Sequence, residues 1–232
     1  MKRIILLATL IFSACQAKTV APLSQTVELA TSTKSQPVST KTVPSERLIS
    51  TMGIGRAKLG MTLRKLRRIA DKDTQFQMIP SFVENVDAIA VSQRGIVQYY
   101  ILYDVEGGFQ SNSVNSLEDR IITSLLTNND SYQTEYGVKV GTSIAEAEDI
   151  YGNAVLAYNT EGKSGEEYIS FGAKNPDNIK FKASYFKLIS DGLGYSGIYP
   201  EYPGVSYTTD KYRDDAAIAA IEVSCNLDDC VN

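Results

Sequence analysis

Histidine and tryptophan are absent from this chain of 232 residues, and cysteine occurs only three times. Without histidine, the Ser-His and Cys-His nucleophile designs are excluded, as are zinc sites built on imidazole. The motifs of other common chemistries are missing too: there is no G-x-S-x-G elbow, no phosphate-binding loop and no dinucleotide fingerprint. Positive charge is not in excess. A formal net charge of -4 argues against a nucleic-acid partner, for which a basic face is expected. Long apolar runs are lacking as well: residues 4–12 form one of nine, whereas a membrane-spanning helix needs about 20, and no later stretch is apolar enough to span.

What the chain does have begins at its front end. Lys2 and Arg3 precede that apolar run, and Ser13-Ala14-Cys15 follows it. The arrangement reads as an export signal over residues 1–14, and the small pair before a cysteine resembles a bacterial lipobox. That resemblance implies that Cys15 is acylated and becomes the mature N-terminus; the alternative is an ordinary signal peptide cut near Ala14 or Ala17. Acyl chains contribute about 0.8 kcal/mol per buried methylene, which holds a folded domain on a membrane without a spanning helix. Gln16, a residue other than aspartate after the cysteine, points by the same family rule to the outer membrane, facing the periplasm.

Residues 15–50 are rich in Thr, Ser, Lys, Gln and Pro and have no sustained hydrophobic period. Such a composition buries too little apolar surface to offset its ordering entropy, so a disordered tether with a reach of roughly 30 Å is expected. A short strand at residues 26–30 is the alternative. The two remaining cysteines, Cys225 and Cys230, suit a disulfide in an oxidising compartment. Zinc is a poor alternative, because a structural site wants four Cys or His ligands.

The best-formed stretch is residues 135–153, EYGVKVGTSIAEAEDIYGN. Ser143 and Glu146 stand at capping-box spacing, Ile144, Ala147, Ile150 and Tyr151 make one apolar stripe, and Gly152 suits a C-terminal cap. Residues 53–71, GIGRAKLGMTLRKLRRIAD, look like an earlier copy. An offset of 81 sets Gly60 on Gly141, Thr62 on Ser143, Leu66 on Ala147 and Ile69 on Ile150. Strands are expected after the first helix at residues 75–79, 87–93, 96–104 and 120–126, with a loop at 105–116. After the second helix they are expected at 154–159, 167–172, 179–186 and 216–224. The fold class is therefore α+β: two tandem modules, each a short capped helix followed by an antiparallel β-meander, at residues 51–130 and 131–232.

A glycine, a short turn, a capped helix and a meander resemble the small outer-membrane-assembly lipoproteins of the BamE or SmpA-like family. More broadly they resemble the modules of the β-lactamase-inhibitor-protein-like fold. The residues that carry this are Leu59-Gly60-Met61-Thr62, then Val140-Gly141-Thr142-Ser143 with Tyr151-Gly152-Asn153. The resemblance implies tandem helix-plus-sheet architecture on a lipid-anchored chain.

Residues 187–215 interrupt the second module. They carry four glycines, two prolines and five tyrosines, Tyr195, Tyr199, Tyr202, Tyr207 and Tyr212. Tyrosine offers large amphipathic area at low entropy cost, so these rings are the candidate binding surface, against the alternative that they simply pack on the sheet. The basic run Arg64, Lys65, Arg67, Arg68 reads as a solvated helix face, or else as a surface for anionic headgroups. Three adjacent carboxylate pairs, Glu166-Glu167, Asp214-Asp215 and Asp228-Asp229, read as solvated charge at turns, since neighbours on a strand face opposite ways. No catalytic, cofactor or metal residues are assigned. The expectation is a non-enzymatic, membrane-anchored envelope lipoprotein that binds or scaffolds a protein or cell-wall partner. The alternatives are an inhibitor of an envelope or extracellular enzyme and, behind it, a carboxylate-dependent hydrolase.

Overall fold

The computed structural model describes residues 43–83, 85–104, 117–159, 166–172, 174–184, 194–200 and 205–231. After a single 3-10 turn at Ser45–Arg47, the chain forms three short strands, β1 (Leu48–Ser50), β2 (Gly53–Ile54) and β3 (Ala57–Lys58). Helix α1 (Leu63–Ile69) leads into β4 (Thr74–Val83), β5 (Val86–Gln93), β6 (Ile96–Asp104) and β7 (Ser124–Thr127). Strand β8 (Gln133–Thr134) precedes α2 (Ile144–Tyr151), which is followed by β9 (Val155–Asn159), β10 (Glu167–Ser170) and β11 (Ile179–Ser184). The chain closes with β12 (Ser206–Thr209), β13 (Ala220–Ser224) and a short helix α3 (Leu227–Val231).

Both helix starts follow from their capping residues. The Thr62 hydroxyl accepts from the Lys65 amide at 3.2 Å. At α2, the Ser143 hydroxyl accepts from the Glu146 amide while the Glu146 carboxylate accepts from the Ser143 amide. Gly60 and Gly141 precede these caps with φ of 81° and 87°, a region that glycine enters without strain. Only Gly60 is also hemmed in: a Cβ there would lie 2.3 Å from the Cys230 carbonyl oxygen. The α1 stripe is narrower than its spacing suggests. Leu63 and Leu66 are buried, but Ile69 is exposed because the helix ends under it.

The expectation of two tandem modules is overturned by the sheet. Strands β12-β9-β10-β11-β13-β7-β6-β5-β4 form one nine-stranded antiparallel sheet. At its middle β13 pairs with β7, Ile221 opposite Thr127 and Ser224 opposite Ser124. Two strand edges that separate modules would leave open are thereby hydrogen-bonded to each other, which removes the edges. The core is likewise one cluster. Leu63 and Leu66 of α1, Ile144 and Ala147 of α2, and Ile49 and Ile54 of the small sheet β3-β2-β1-β8 all join it. Tandem repeat architecture, and with it the BamE or SmpA-like and inhibitor-like module reading, does not describe this molecule. A local match between two helix starts reports capping chemistry, which many helices share, and not how their sheets close.

Two smaller differences concern strand positions. The expected strand at 120–126 starts four residues later, after a 3-10 turn at Leu117–Asp119. The interruption at 187–215, for which no strand is expected above, contributes β12, which forms an edge of the large sheet beside β9. The loop expected at 105–116 lies outside the described residues.

One face of the large sheet takes α1, α2 and the small sheet. Residues such as Ile89, Ile101, Leu125, Phe181 and Val223 point there and belong to the core cluster. Alternate positions on the same strands, including Ala88, Ala90, Leu102, Leu126, Lys182 and Glu222, therefore point to the second face. Burial on β5 is unbroken from Asp87 to Val91, so the small Ala88 and Ala90 of the second face are sheltered too, which explains why the strand has no clean polar alternation.

Cys225 and Cys230 are disulfide-bonded with Cα atoms 5.9 Å apart, and α3 occupies the loop they close. Replacing both by serine is expected to lower stability by about 2 kcal/mol by the loop-entropy relation for so short a ring. Urea midpoints of the oxidised chain and the double variant measure it, and equal midpoints would contradict it.

Candidate functional site

The residues picked from sequence divide into three groups. Cys15 and Tyr202 lie outside the described residues. Tyr195, Tyr199, Tyr207 and Tyr212 are described, and three of them gather at the β12 end of the sheet, where the Tyr158 ring of β9 joins them. Tyr158 stacks on Tyr195 with centroids 4.6 Å apart and meets Tyr199 edge-on at 4.6 Å, while Tyr199 meets Tyr207 at 6.0 Å. Tyr212 stands apart from this cluster, its hydroxyl donating to Glu148 at 2.7 Å.

What fixes the cluster is a carboxylate. Glu167 of β10 has no solvent exposure. Its Oε2 accepts from the Ser196 amide at 2.7 Å, and its Oε1 accepts from the Gly197 amide at 2.8 Å and the Tyr199 hydroxyl at 2.7 Å. Burial, then the bond to Glu167, raises the Tyr199 pKa above the ordinary phenol value. The described rings are thus tied to the sheet, and among them only Tyr207, 42% exposed, offers much free surface.

The tyrosines also set an alkaline limit. Tyr103 is pushed up to about 12 by burial, and Tyr212 is pushed up to about 12 chiefly by its bond to Glu148. An unfolded tyrosine titrates near 10. The stability these groups contribute is whole below pH about 10 and is lost as pH rises toward about 12, because the unfolded state releases its protons first. Urea midpoints followed against pH, with tyrosinate absorbance recorded in parallel, should fall across that window. A flat profile would contradict it.

The second face of the sheet holds a constellation that sequence reasoning missed. Lys182 of β11 has a side chain only 4% exposed, and its Nζ lies 3.2 Å from Glu166 Oε2 and 2.9 Å from Glu222 Oε2. Tyr168 of β10 donates its hydroxyl to Glu166, and its ring lies 5.1 Å from the Lys182 ammonium. Register explains the gathering: Tyr168 stands opposite Lys182 across β10–β11, and Lys182 stands opposite Ala220 across β11–β13, two residues from Glu222. Burial, then the neighbouring Glu166 charge, raises the Tyr168 pKa above the ordinary phenol value, which keeps the phenol a donor.

Beside this group is a cavity of about 250 Å³ with an apolar wall that includes Phe82, Val83, Val86, Leu102 and Leu126. Asp104 and Lys180, both exposed, also line it. Glu166 and Glu167 had read as solvated charge. Both are in fact buried, on opposite faces of the sheet as the strand period requires. One holds the cavity lysine and the other holds the tyrosine segment. The available signal was Lys182 itself, a lysine between Phe181 and Ala183 in a strand flanked by strands on both sides, but a charge at alternate positions ordinarily marks a solvated face.

Other candidates resolve into surface pairs. Arg64 pairs with Asp119, while Arg67 pairs with Glu118 and lies 4.4 Å over the Phe76 ring, so half of the basic run is neutralised locally. Among the described residues no three His, Cys, Asp or Glu side chains converge as metal ligands, and no helix is long and apolar enough to cross a membrane.

No protein-family model matches the chain, and no curated protein sequence matches it. Among solved structures it is similar to the uncharacterized protein yfeY from Escherichia coli, at 16% identity and a TM-score of 0.43, over 77% of this chain and 99% of that one. A likeness at that level carries no argument about fold or role.

Proposed function

We propose that this chain is a lipid-anchored protein of the cell envelope, held at the outer membrane on its periplasmic side through Cys15, and that it works as a non-enzymatic binding module. The observation that carries the binding part is the cavity on the face that α1 and α2 leave free, with an apolar wall and a buried ionic centre on one side. The site is concave and sets an apolar wall against convergent polar and charged groups, the two kinds of surface that a ligand site combines. The anchor rests on the Ser13-Ala14-Cys15 sequence and the tether-like composition behind it.

Lysine chemistry at the cavity favours binding over catalysis. The Lys182 nitrogen is engaged by two carboxylates, at 3.2 Å and 2.9 Å, which ties up the atom a lysine nucleophile would use. The tyrosine segment, tied to Glu167, supports the fold at the other end of the sheet.

The test uses the full chain in native membranes. Metabolic labelling with a fatty acid should mark the wild type and not Cys15→Ser. Crosslinking of intact envelopes should give a specific adduct with the wild type that disappears in Val86→Arg, which fills the cavity with a charged side chain. No adduct, or the same adduct in both, would reject the binding role. Acylation of Cys15→Ser would reject the anchor.

A further inference from the structure

The ionic centre beside the cavity does not balance. By formal charge, two carboxylates, Glu166 and Glu222, share one ammonium beside the Tyr168 phenol, which leaves one negative charge over. Side-chain exposures of 10% and 13% for the two glutamates place that charge where water screens it poorly. A buried charge without a full partner is strongly unfavourable. Asp104 and Lys180, the other charged groups lining the cavity among the described residues, cancel at its exposed rim.

The two glutamates differ in what they can still accept. Glu166 receives Lys182 on both oxygens, at 3.2 Å each, and the Tyr168 hydroxyl in addition. Glu222 receives Lys182 on Oε2, while among the described residues its Oε1 has only the Ser124 hydroxyl at 3.4 Å, a long contact. An ionised carboxylate has about four acceptor positions. The unused capacity and the surplus charge therefore coincide at Glu222, which itself lines the cavity.

We infer that the cavity takes a small monocation with a short apolar body, its ammonium donating to Glu222 and its carbon chain lying along Val86, Leu102 and Leu126. A cavity of about 250 Å³ has space for about eight waters at roughly 30 Å³ each, which suits a primary amine of a few carbons or the amino end of a larger molecule. An anion is disfavoured: it would meet the surplus negative charge, and the one buried cation is already shared by two carboxylates. This assignment rests on the free sheet face being the binding face and adds the class of ligand.

Calorimetric titration of the full chain in a non-ionic detergent tests it, with n-butylammonium, n-butanol and butyrate as probes of matched length. n-Butylammonium should bind, n-butanol should bind about tenfold or more weakly, and butyrate should give no heat. Glu222→Gln should weaken n-butylammonium about tenfold or more, the loss expected for a hydrogen bond to a charged group. Leu102→Phe fills the apolar end without touching the charges and should also abolish binding, which keeps the test decisive if the Gln variant does not fold. Absence of n-butylammonium binding, equal affinity in Leu102→Phe, or preferential binding of butyrate would overturn the assignment. An envelope adduct sensitive to Val86→Arg together with no n-butylammonium binding would reject the ligand class while leaving the binding reading intact.

Discussion

Lys182→Met is expected to destabilise the chain by about 3–5 kcal/mol, the range seen when one partner of a buried ion pair is removed. The methionine fills nearly the same volume, so the loss is electrostatic. Glu166 and Glu222 remain on the face of the sheet with side chains 10% and 13% exposed and no cation between them. Glu166 immediately precedes β10 and Glu222 lies on β13, and these strands are the two neighbours of β11, so the repulsion acts across the width of three strands. The triple variant Lys182→Met, Glu166→Gln, Glu222→Gln should recover most of the loss, because replacing every charge of a buried set is often close to neutral. Urea unfolding, with the slope checked for constancy so that midpoints compare stability alone, distinguishes the two. A single variant within about 1 kcal/mol of wild type would show that the glutamates are solvated or protonated instead, at odds with surface-pair energetics being confined to exposed sites.

That central group shows where sequence reading stops. Signals confined to a few consecutive residues were legible: the Thr62 cap, the capping box at Ser143 and Glu146, the short disulfide ring, and most strands to within a few residues. Each is decided by local chemistry. Pairing between β7 and β13 is not, because Ser124 and Ser224 are 100 positions apart and nothing in either strand's composition names its partner. The error about two modules came from this. Strands expected to close separate sheets were instead joined to one another. The neighbours on the second face depend on pairing register in the same way, Tyr168 opposite Lys182 across β10–β11 and Lys182 opposite Ala220 across β11–β13. Lys182, Glu166, Glu222 and Tyr168 form a site only in that register. The tyrosines were visible as a composition, but whether they were free or tied depended on Glu167, whose burial required knowing that the 194–200 segment folds back over β10.

Glu167→Ala should be the other costly substitution, at about 3 kcal/mol or more, and its effect should be local before it is global. Three donors converge on this carboxylate, two of them backbone amides. Truncation leaves them without an acceptor in a site with no solvent exposure, and each hydrogen bond to a charged group contributes about 1.5–3 kcal/mol, less when several share one acceptor. Glu167→Gln keeps the shape and one acceptor oxygen, but its NH₂ faces donors, so a loss of about 2 kcal/mol is expected. Tyr199→Phe removes a single hydroxyl and should cost about 1 kcal/mol. If the carboxylate acts by holding the 194–200 segment on the sheet, protease should cut that segment in Glu167→Ala at urea concentrations where the wild type is intact, since opening confined to one segment needs less free energy than global unfolding. In the same variant the raised Tyr199 pKa should fall toward that of an exposed phenol, read from tyrosinate absorbance, because both burial and the acceptor are lost together. Cleavage elsewhere first, with the segment still protected, would mean that ring stacking on Tyr158 holds it without Glu167. The size of the local effect therefore decides whether the tyrosines form a rigid cover for the sheet edge or a flap whose single buried fastening is this glutamate.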